Sequence, residues 1–310
     1  MKKNWIYSKW CFALACALLM GVATSCGDDD GEGSGTGTGQ QPTLPDLGIT
    51  DPVVAVAGEY DGERFNYEND VLVGGTGFYD ADYTFYIGNA PLVLKVFQED
   101  YEETWSNIRT NEHGAITYAS LLGVSLGEDF TGTFTAKYNE DNQMTESALE
   151  LSEDDVTEHD KWTFVWENGN MVSYRNTYSI DYTDEEDFSY SDNGWFDYGD
   201  SPVSNNGIYH PDMFPYDYYF MLYAGLFGKP TKDMPVSVVF SSTDGYGDDA
   251  YAYTAEKDEK GRIVTLYCDG EAYYYYGYAD RPIELTGAGW HAPGRAVRGI
   301  RARLASRQAR

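Results

Sequence analysis

Cysteine and histidine are both scarce in this chain. Its 310 residues include four cysteines, Cys11, Cys16, Cys26 and Cys268, and four histidines, His113, His159, His210 and His291. Cys11 and Cys16 fall in the first 25 residues, which read as a cleaved export signal, and Cys26 stands at its end. Cys268 is then alone in the body, so neither an intrachain disulfide nor a multi-cysteine metal site is expected. Its neighbours Leu266, Tyr267 and Tyr273 to Tyr276 mark it as a buried strand residue rather than a nucleophile. No two histidines have metal-ligand spacing and no His-Glu-x-x-His occurs. His210, in Tyr209-His-Pro-Asp212, reads as a loop residue bonded to local backbone.

Basic residues are scarce as well. Between Cys26 and Asp280, eleven Lys and Arg stand against fifty Asp and Glu, a net charge of 11 − 50 = −39. Such a surface repels nucleic acid and anionic lipid, which excludes both as partners of the body. The end of the chain is the opposite: from residue 285 to 310 it has Arg295, Arg298, Arg301, Arg303, Arg307 and Arg310 and no acid. This basic tail reads either as an arm that meets an acidic surface or as a non-native extension such as a frameshifted end.

The apolar run from Phe12 to Val22 is too short to span a bilayer as a helix. It follows Lys2, Lys3 and Lys9 and ends in Ala23-Thr24-Ser25-Cys26, the pattern of a secretory signal with a cysteine in the first mature position. Residues 1–25 are therefore expected to be a lipoprotein signal peptide, with Cys26 acylated. Each buried CH₂ contributes roughly 0.8 kcal/mol, so two or three acyl chains hold the protein on a membrane. Asp28-Asp29-Asp30 resembles the acidic export signal of Bacteroidota outer-membrane lipoproteins, which places the protein on the outer membrane facing the cell exterior. Residues 26–50, rich in Gly, Ser, Thr and Asp, form a flexible tether.

Residues 51–284 contain no second linker and are expected to form a single β domain. Phe130, Phe134, Ala136 and Tyr138 share one strand face, and Thr131, Thr133, Thr135 and Lys137 the other. Trp162, Phe164 and Trp166 alternate in the same way, as do Tyr178, Ile180 and Tyr182, and Val236, Val238 and Phe240. A weak repeat joins these strands: Ala136 to Ser147 aligns without gaps on Ala255 to Leu266, with a looser copy at Val165 to Tyr174. Each copy is a strand, an acidic turn and a return strand. Irregular spacing excludes a solenoid and favours an antiparallel meander that curls or closes. Phe220, Tyr223, Ala224 and Phe227 recur at helical spacing, so one short buried helix is expected near 215–228.

The hairpin units, the segment Leu222-Tyr-Ala-Gly-Leu-Phe-Gly-Lys-Pro230 and the strand Gly261-Arg-Ile-Val-Thr-Leu266 with its tyrosine ladder resemble an uncharacterised family of Bacteroidota lipoproteins. The domain of unknown function in that family has a porin-like fold. Over roughly Asp51 to Asp280 the resemblance implies a mainly β, antiparallel barrel or near-barrel with a helix, and it brings no catalytic residues. Polar outward positions such as Thr131, Lys137, Ser237 and Ser241 do not make the lipid-facing band about 25 Å tall of a transmembrane barrel, so the barrel is expected to be soluble on its tether.

Chemistry is thinly signalled. Gly123-Val-Ser-Leu-Gly127 matches a nucleophile elbow around Ser125, but a strand rather than a helix follows it. Paired acids such as Asp184 to Asp187 read as solvated turns, because adjacent residues on a strand point to opposite faces. Asp244, Asp248 and Asp249, with intervening glycines, are the candidate calcium ligands; no other cofactor is indicated. Tyr216, Tyr218, Tyr219, Tyr273 and Tyr275 are the candidate ligand contacts, since tyrosine rings stack on sugars while carboxylates accept from hydroxyls. The reading is a non-enzymatic surface lipoprotein that binds or scaffolds, with polysaccharide as ligand and the Cys26 anchor as membrane contact. The alternatives are a glycoside hydrolase, an esterase using Ser125, or a structural subunit bound to another envelope protein.

Overall fold

The computed structural model describes residues 52–283, apart from 59–61, 69–70, 78–83, 88–91, 99–100, 126, 154–155, 183–186, 214–218 and 244–246. The signal peptide, Cys26, the tether, the basic tail, Tyr216, Tyr218 and Asp244 lie outside the described residues. The first half of the chain forms β1 (Val53–Ala57), β2 (Gly62–Glu68), β3 (Val71–Gly77), β4 (Thr84–Ile87), β5 (Leu94–Gln98), β6 (Tyr101–Thr110), β7 (Ile116–Ser125), β8 (Glu128–Tyr138) and β9 (Met144–Glu153). Then follow β10 (Val156–Glu167), β11 (Asn170–Tyr182), β12 (Phe188–Asp197), β13 (Val203–Ser204), α1 (Tyr219–Tyr223) and β14 (Asp233–Met234). Last come β15 (Ser237–Ser242), β16 (Gly247–Lys257), β17 (Ile263–Cys268) and β18 (Glu271–Tyr278).

Among the described residues every strand except β13 and β14 belongs to one antiparallel ring. β1 pairs with β18 on one side and with β2 on the other, and these two ladders close it. Apart from the closing pair β1 and β18, neighbours in the ring are neighbours in sequence, save that β12 pairs directly with β15. The expected alternation holds: Phe130, Phe134 and Ala136 are buried while Asp129, Thr131, Thr135 and Lys137 are exposed. Exposed large apolar side chains among the described strand residues include Leu122 and Val124 of β7, Val165 of β10, Phe188 and Trp195 of β12, and Val239 of β15. Val165, Trp195, Val239 and Ala250 fall in one lateral row, linked through Ser173, between rows carrying Thr163, Arg175 and Asn193 above and Glu167 and Asp197 below.

The chain between β12 and β15 runs over the surface as far as Ser204 and then, from Ile208, turns inward. Its side chains meet rings from opposite sides of the barrel: Phe227 packs on Trp105 of β6 and Phe134 of β8, with centroids 6.1 and 5.5 Å apart. Tyr223 packs on Phe65 of β2 at 5.1 Å, and the Tyr219 hydroxyl bonds that of Tyr274 of β18 at 2.9 Å. A segment touching β2, β6, β8 and β18 at once lies inside the ring as a plug. Ile208, Met213, Met221, Leu226 and Phe227 within it are among its fully buried side chains.

The helix in this plug ends before the expected limit at 228: among the described residues it covers Tyr219–Tyr223. Gly225, at φ 73°, ends it. Leu226 N–H returns to the Met221 carbonyl and Gly225 N–H to that of Leu222, the paired bonds of a Schellman cap. Gly228 follows at φ 83°, where a Cβ would stand 2.4 Å from the Asn142 carbonyl oxygen. Apolar spacing persisted through 227 because these residues face core on all sides, not because the helix continues.

The plug is fastened to one end of the barrel, where the hairpin turns share a design. Asn139 and Asp258 each accept, through one side-chain oxygen, the N–H groups two and four residues on, while the fourth residue, Asn142 or Gly261, takes positive φ. This is the physical basis of the repeat in the sequence. Its true third member is Asn111 to Ala115, with the same bonds. The copy at Val165 to Tyr174 instead turns on Asn168-Gly169, at φ 53° and 84°, a two-residue hairpin. Ile116 N–H bonds the Leu226 carbonyl, Lys229 N–H that of Asn142 and Lys232 N–H that of Gly169, tying the plug to three hairpins.

Candidate functional site

Three neighbouring strands turn polar groups into the barrel where hydrocarbon would be expected. On β10 the inward positions are Glu158, Asp160, Trp162 and Phe164. Pairing places Glu158 beside Ile180 and Asp160 beside Tyr178, while Trp162 sits beside Asn176. On β12, Tyr190 lies beside Tyr178 and Asp192 beside Asn176. Directly opposed residues share a face, so Glu158, Asp160, Trp162, Asn176, Tyr178, Tyr190 and Asp192 form one lumenal patch.

Burial governs the chemistry of this patch. It raises the Glu158 carboxyl to about 7, with Glu153 and Asp160 adding repulsion. Burial likewise raises Asp160 to about 6; the Trp162 and Asn176 side chains oppose that rise and Asp192 adds to it. The Asn176 amide donates to Asp160 Oδ1. Aromatic faces flank the acids, with Trp162 4.9 Å from Tyr174 and stacked on Phe164 at 6.1 Å, and Tyr178 5.1 Å from Tyr190. Hydrogen-bonding carboxyl and amide groups between apolar ring faces can hold a polyhydroxylated ligand, and a carboxyl poised near neutrality can hold or release a proton.

A second polar group lies where the plug meets the wall. Asp212 accepts hydrogen bonds from Tyr253 of β16 at 2.6 Å and Tyr273 of β18 at 2.7 Å, one on each carboxylate oxygen. His210 accepts the Asp212 N–H on Nδ1 at 3.2 Å, the local backbone bond expected of it, and packs edge-on against the Tyr253 ring at 4.4 Å. Burial lowers its pKa to about 4, against a smaller rise from Asp212. The ring is neutral with its proton on Nε2, an atom that is buried and has no hydrogen-bond partner among the described residues.

The residues singled out by sequence scatter. Tyr273 belongs to the Asp212 group and Tyr219 is buried against Tyr274, whereas Tyr275 shares the outer face with Glu256 through Thr265. Asp248 is exposed opposite Ser241 and Asp249 faces inward opposite Phe240, as successive strand residues must. Among the described residues no group of three or more His, Cys, Asp or Glu is placed to hold a metal ion. Ser125 ends β7 and pairs with Glu128, so the turn joins two strands and makes no elbow. Cys268 is buried, paired with Tyr253. The acids of β10 escaped notice because His159 and Lys161 alternate with them. With charge on both faces, no contrast marks the inner one.

No protein-family model matches the chain, and no curated protein matches it in sequence. Solved structures do resemble it. A porin-like protein from Bacteroides vulgatus is 12% identical with a TM-score of 0.50, the match covering 73% of this chain and 98% of that one. A porin-like protein from Bacteroides uniformis is 15% identical with a TM-score of 0.49, covering 77% and 100% respectively. At such identities the likeness concerns the fold alone: an antiparallel, porin-like β architecture.

Proposed function

We propose that this chain is an outer-membrane lipoprotein, anchored through Cys26 and facing the cell exterior, whose barrel binds a polysaccharide in its lumen without turning it over. The lumenal patch of β10 to β12 carries this reading: Trp162, Tyr178 and Tyr190 offer ring faces between Glu158, Asp160, Asn176 and Asp192. The plug argues for a receptor or scaffold rather than a through-channel, and a Ser- and Thr-rich outer face argues for a barrel held off the bilayer by its tether. Membership of the Bacteroidota lipoprotein family resembled by the sequence is part of the same reading.

The test is a thermal-shift screen of the intact chain against dietary and host polysaccharides, with calcium and with chelator. A ligand at 100 times its Kd adds about 2.7 kcal/mol to the native state. The expected outcome is a shift with one glycan class that Trp162→Ala abolishes. A melt indifferent to every glycan, or a shift that survives Trp162→Ala, overturns the lumenal site.

One observation favours a second reading, a glycoside hydrolase. Glu158 keeps its proton to about pH 7, as a general acid must, and Asp160 lies two residues along the same strand face. On this reading Glu158 is the acid and Asp160 its partner. Release of reducing ends that continues in Glu158→Gln and Asp160→Asn would exclude it.

A further inference from the structure

We propose that Tyr253, Asp212 and Tyr273 form a releasable latch, which clasps the plug arm from Asn205 to Met213 against the wall of β16, β17 and β18 and opens in acid. The root of the arm is fixed elsewhere: Asn205 N–H bonds the Lys232 carbonyl, its amide bonds the Ile208 and Thr231 carbonyls, and the Asn206 amide reaches the Gly261 carbonyl at 2.7 Å. Asn206 and Gly207 follow at φ 54° and 82°, a turn from which the arm departs. Midway, Tyr209 is bonded within the plug, its N–H to the Tyr223 hydroxyl and its own hydroxyl to the Gly228 carbonyl; at the far end the polar contacts to the wall, among the described residues, are the two tyrosine hydroxyls on Asp212. Charge-assisted bonds of this kind are strong when both are made, and they are lost together if the arm moves.

His210 supplies the acid sensitivity. Its neutral ring fits between the Asp212 turn and the Tyr253 edge, with Nδ1 used as an acceptor and Nε2 meeting no acceptor among the described residues. Protonation would convert Nδ1 into a donor facing the Asp212 N–H donor, breaking the turn inside which Asp212 is aimed. The groups around it are Asp212 on its own turn, Tyr253 of β16, Cys268 of β17 paired with Tyr253, and Tyr273 of β18 through Asp212; Asp212 is the charged group that acts on it. The sign follows from its folded value of about 4 against an ordinary 6.5. The released arm binds the proton first, so the clasped state loses ground as pH falls from 6.5 towards 4. Over that range the opening constant rises by about 80-fold, towards a limit of about 300-fold in stronger acid.

Cys268 reports the opening, since it is a buried thiol in register with Tyr253, whose ring packs on His210 of the arm. The full chain is treated with dithiodipyridine, which reacts with thiols in acid as well as at neutral pH. Modification at Cys268 is then followed by peptide mass mapping and normalised to a free cysteine peptide. In the unmodified sequence the normalised rate should climb at least tenfold between pH 7 and pH 4.5 while far-ultraviolet circular dichroism stays that of the barrel. In His210→Phe the climb should vanish. Tyr253→Phe with Tyr273→Phe should raise the rate at pH 7 at least tenfold. A flat rate in the unmodified sequence, needing no variant, overturns the acid response; a climb that persists in His210→Phe assigns it to another group and overturns the role of His210. A double variant that folds and stays as protected as the parent overturns the clasp.

Discussion

Two partly buried carboxyls on one strand make a sharp prediction about stability and pH. Glu158 goes from an ordinary 4.5 to about 7 in the folded protein, and Asp160 from 3.8 to about 6. Both are raised, so between pH 4 and 7 the native state binds more protons than the unfolded chain, and stability falls as pH rises through that window. At about 1.4 kcal/mol per pH unit each group accounts for about 3 kcal/mol, and the pair for at most about 6 kcal/mol because each repels the other. His210 runs the opposite way, its folded value of about 4 costing stability as pH falls below 6.5. The whole-protein curve therefore mixes two trends, and the informative quantity is a difference. Urea unfolding of the parent and of Glu158→Gln with Asp160→Asn, from pH 4 to 7.5, cancels the histidine and every other common group. The Asn176 donor still finds an acceptor at position 160, so the neutral variant should match the parent within about 1 kcal/mol at pH 4. By pH 7 it should be more stable by several kcal/mol. Parallel curves across the range would refute the claim that these carboxyls are desolvated and protonated.

Phe227→Ala removes a ring enclosed by Trp105 and Phe134 and should cost about 3–5 kcal/mol in urea unfolding, against under about 1.5 kcal/mol for Phe227→Leu if the neighbours repack. Gly228→Ala drives a Cβ to 2.4 Å from the Asn142 carbonyl and should lower Tm far more than Gly261→Ala, which has open space around it and loses only the ease of positive φ, about 1 kcal/mol. Equal losses for the two glycines would deny the close approach of plug and hairpin. Asn111→Ala deletes acceptors for the His113 and Ala115 N–H groups and a donor to Asn142, and should cost about 1–3 kcal/mol by the same assay.

The strands were legible because one face was apolar and the other was not. Phe130, Phe134 and Ala136 against Thr131, Thr135 and Lys137 fix both the extended state and the buried side, since a strand alternates with period two whatever surrounds it. The repeat was legible for a local reason too: Asn139 and Asp258 bond their own turns, and the positive φ three residues on suits Asn142 and Gly261. What the sequence could not state was where the segment after β12 goes. Apolar residues from Ile208 to Phe227 demand burial, and a helix, a surface lid and a plug satisfy that demand equally. Only closure of the ring, which brings Phe65, Trp105, Phe134 and Tyr274 around one space, makes the plug the answer. The polar sites depend on the same closure. Asp212 meets Tyr253 and Tyr273 across 41 and 61 residues of chain, and Glu158 and Asp160 become desolvated acids only because β10 faces a lumen. Local hydrogen bonding and alternation are properties of a short segment, whereas desolvation of a carboxyl is a property of everything packed around it.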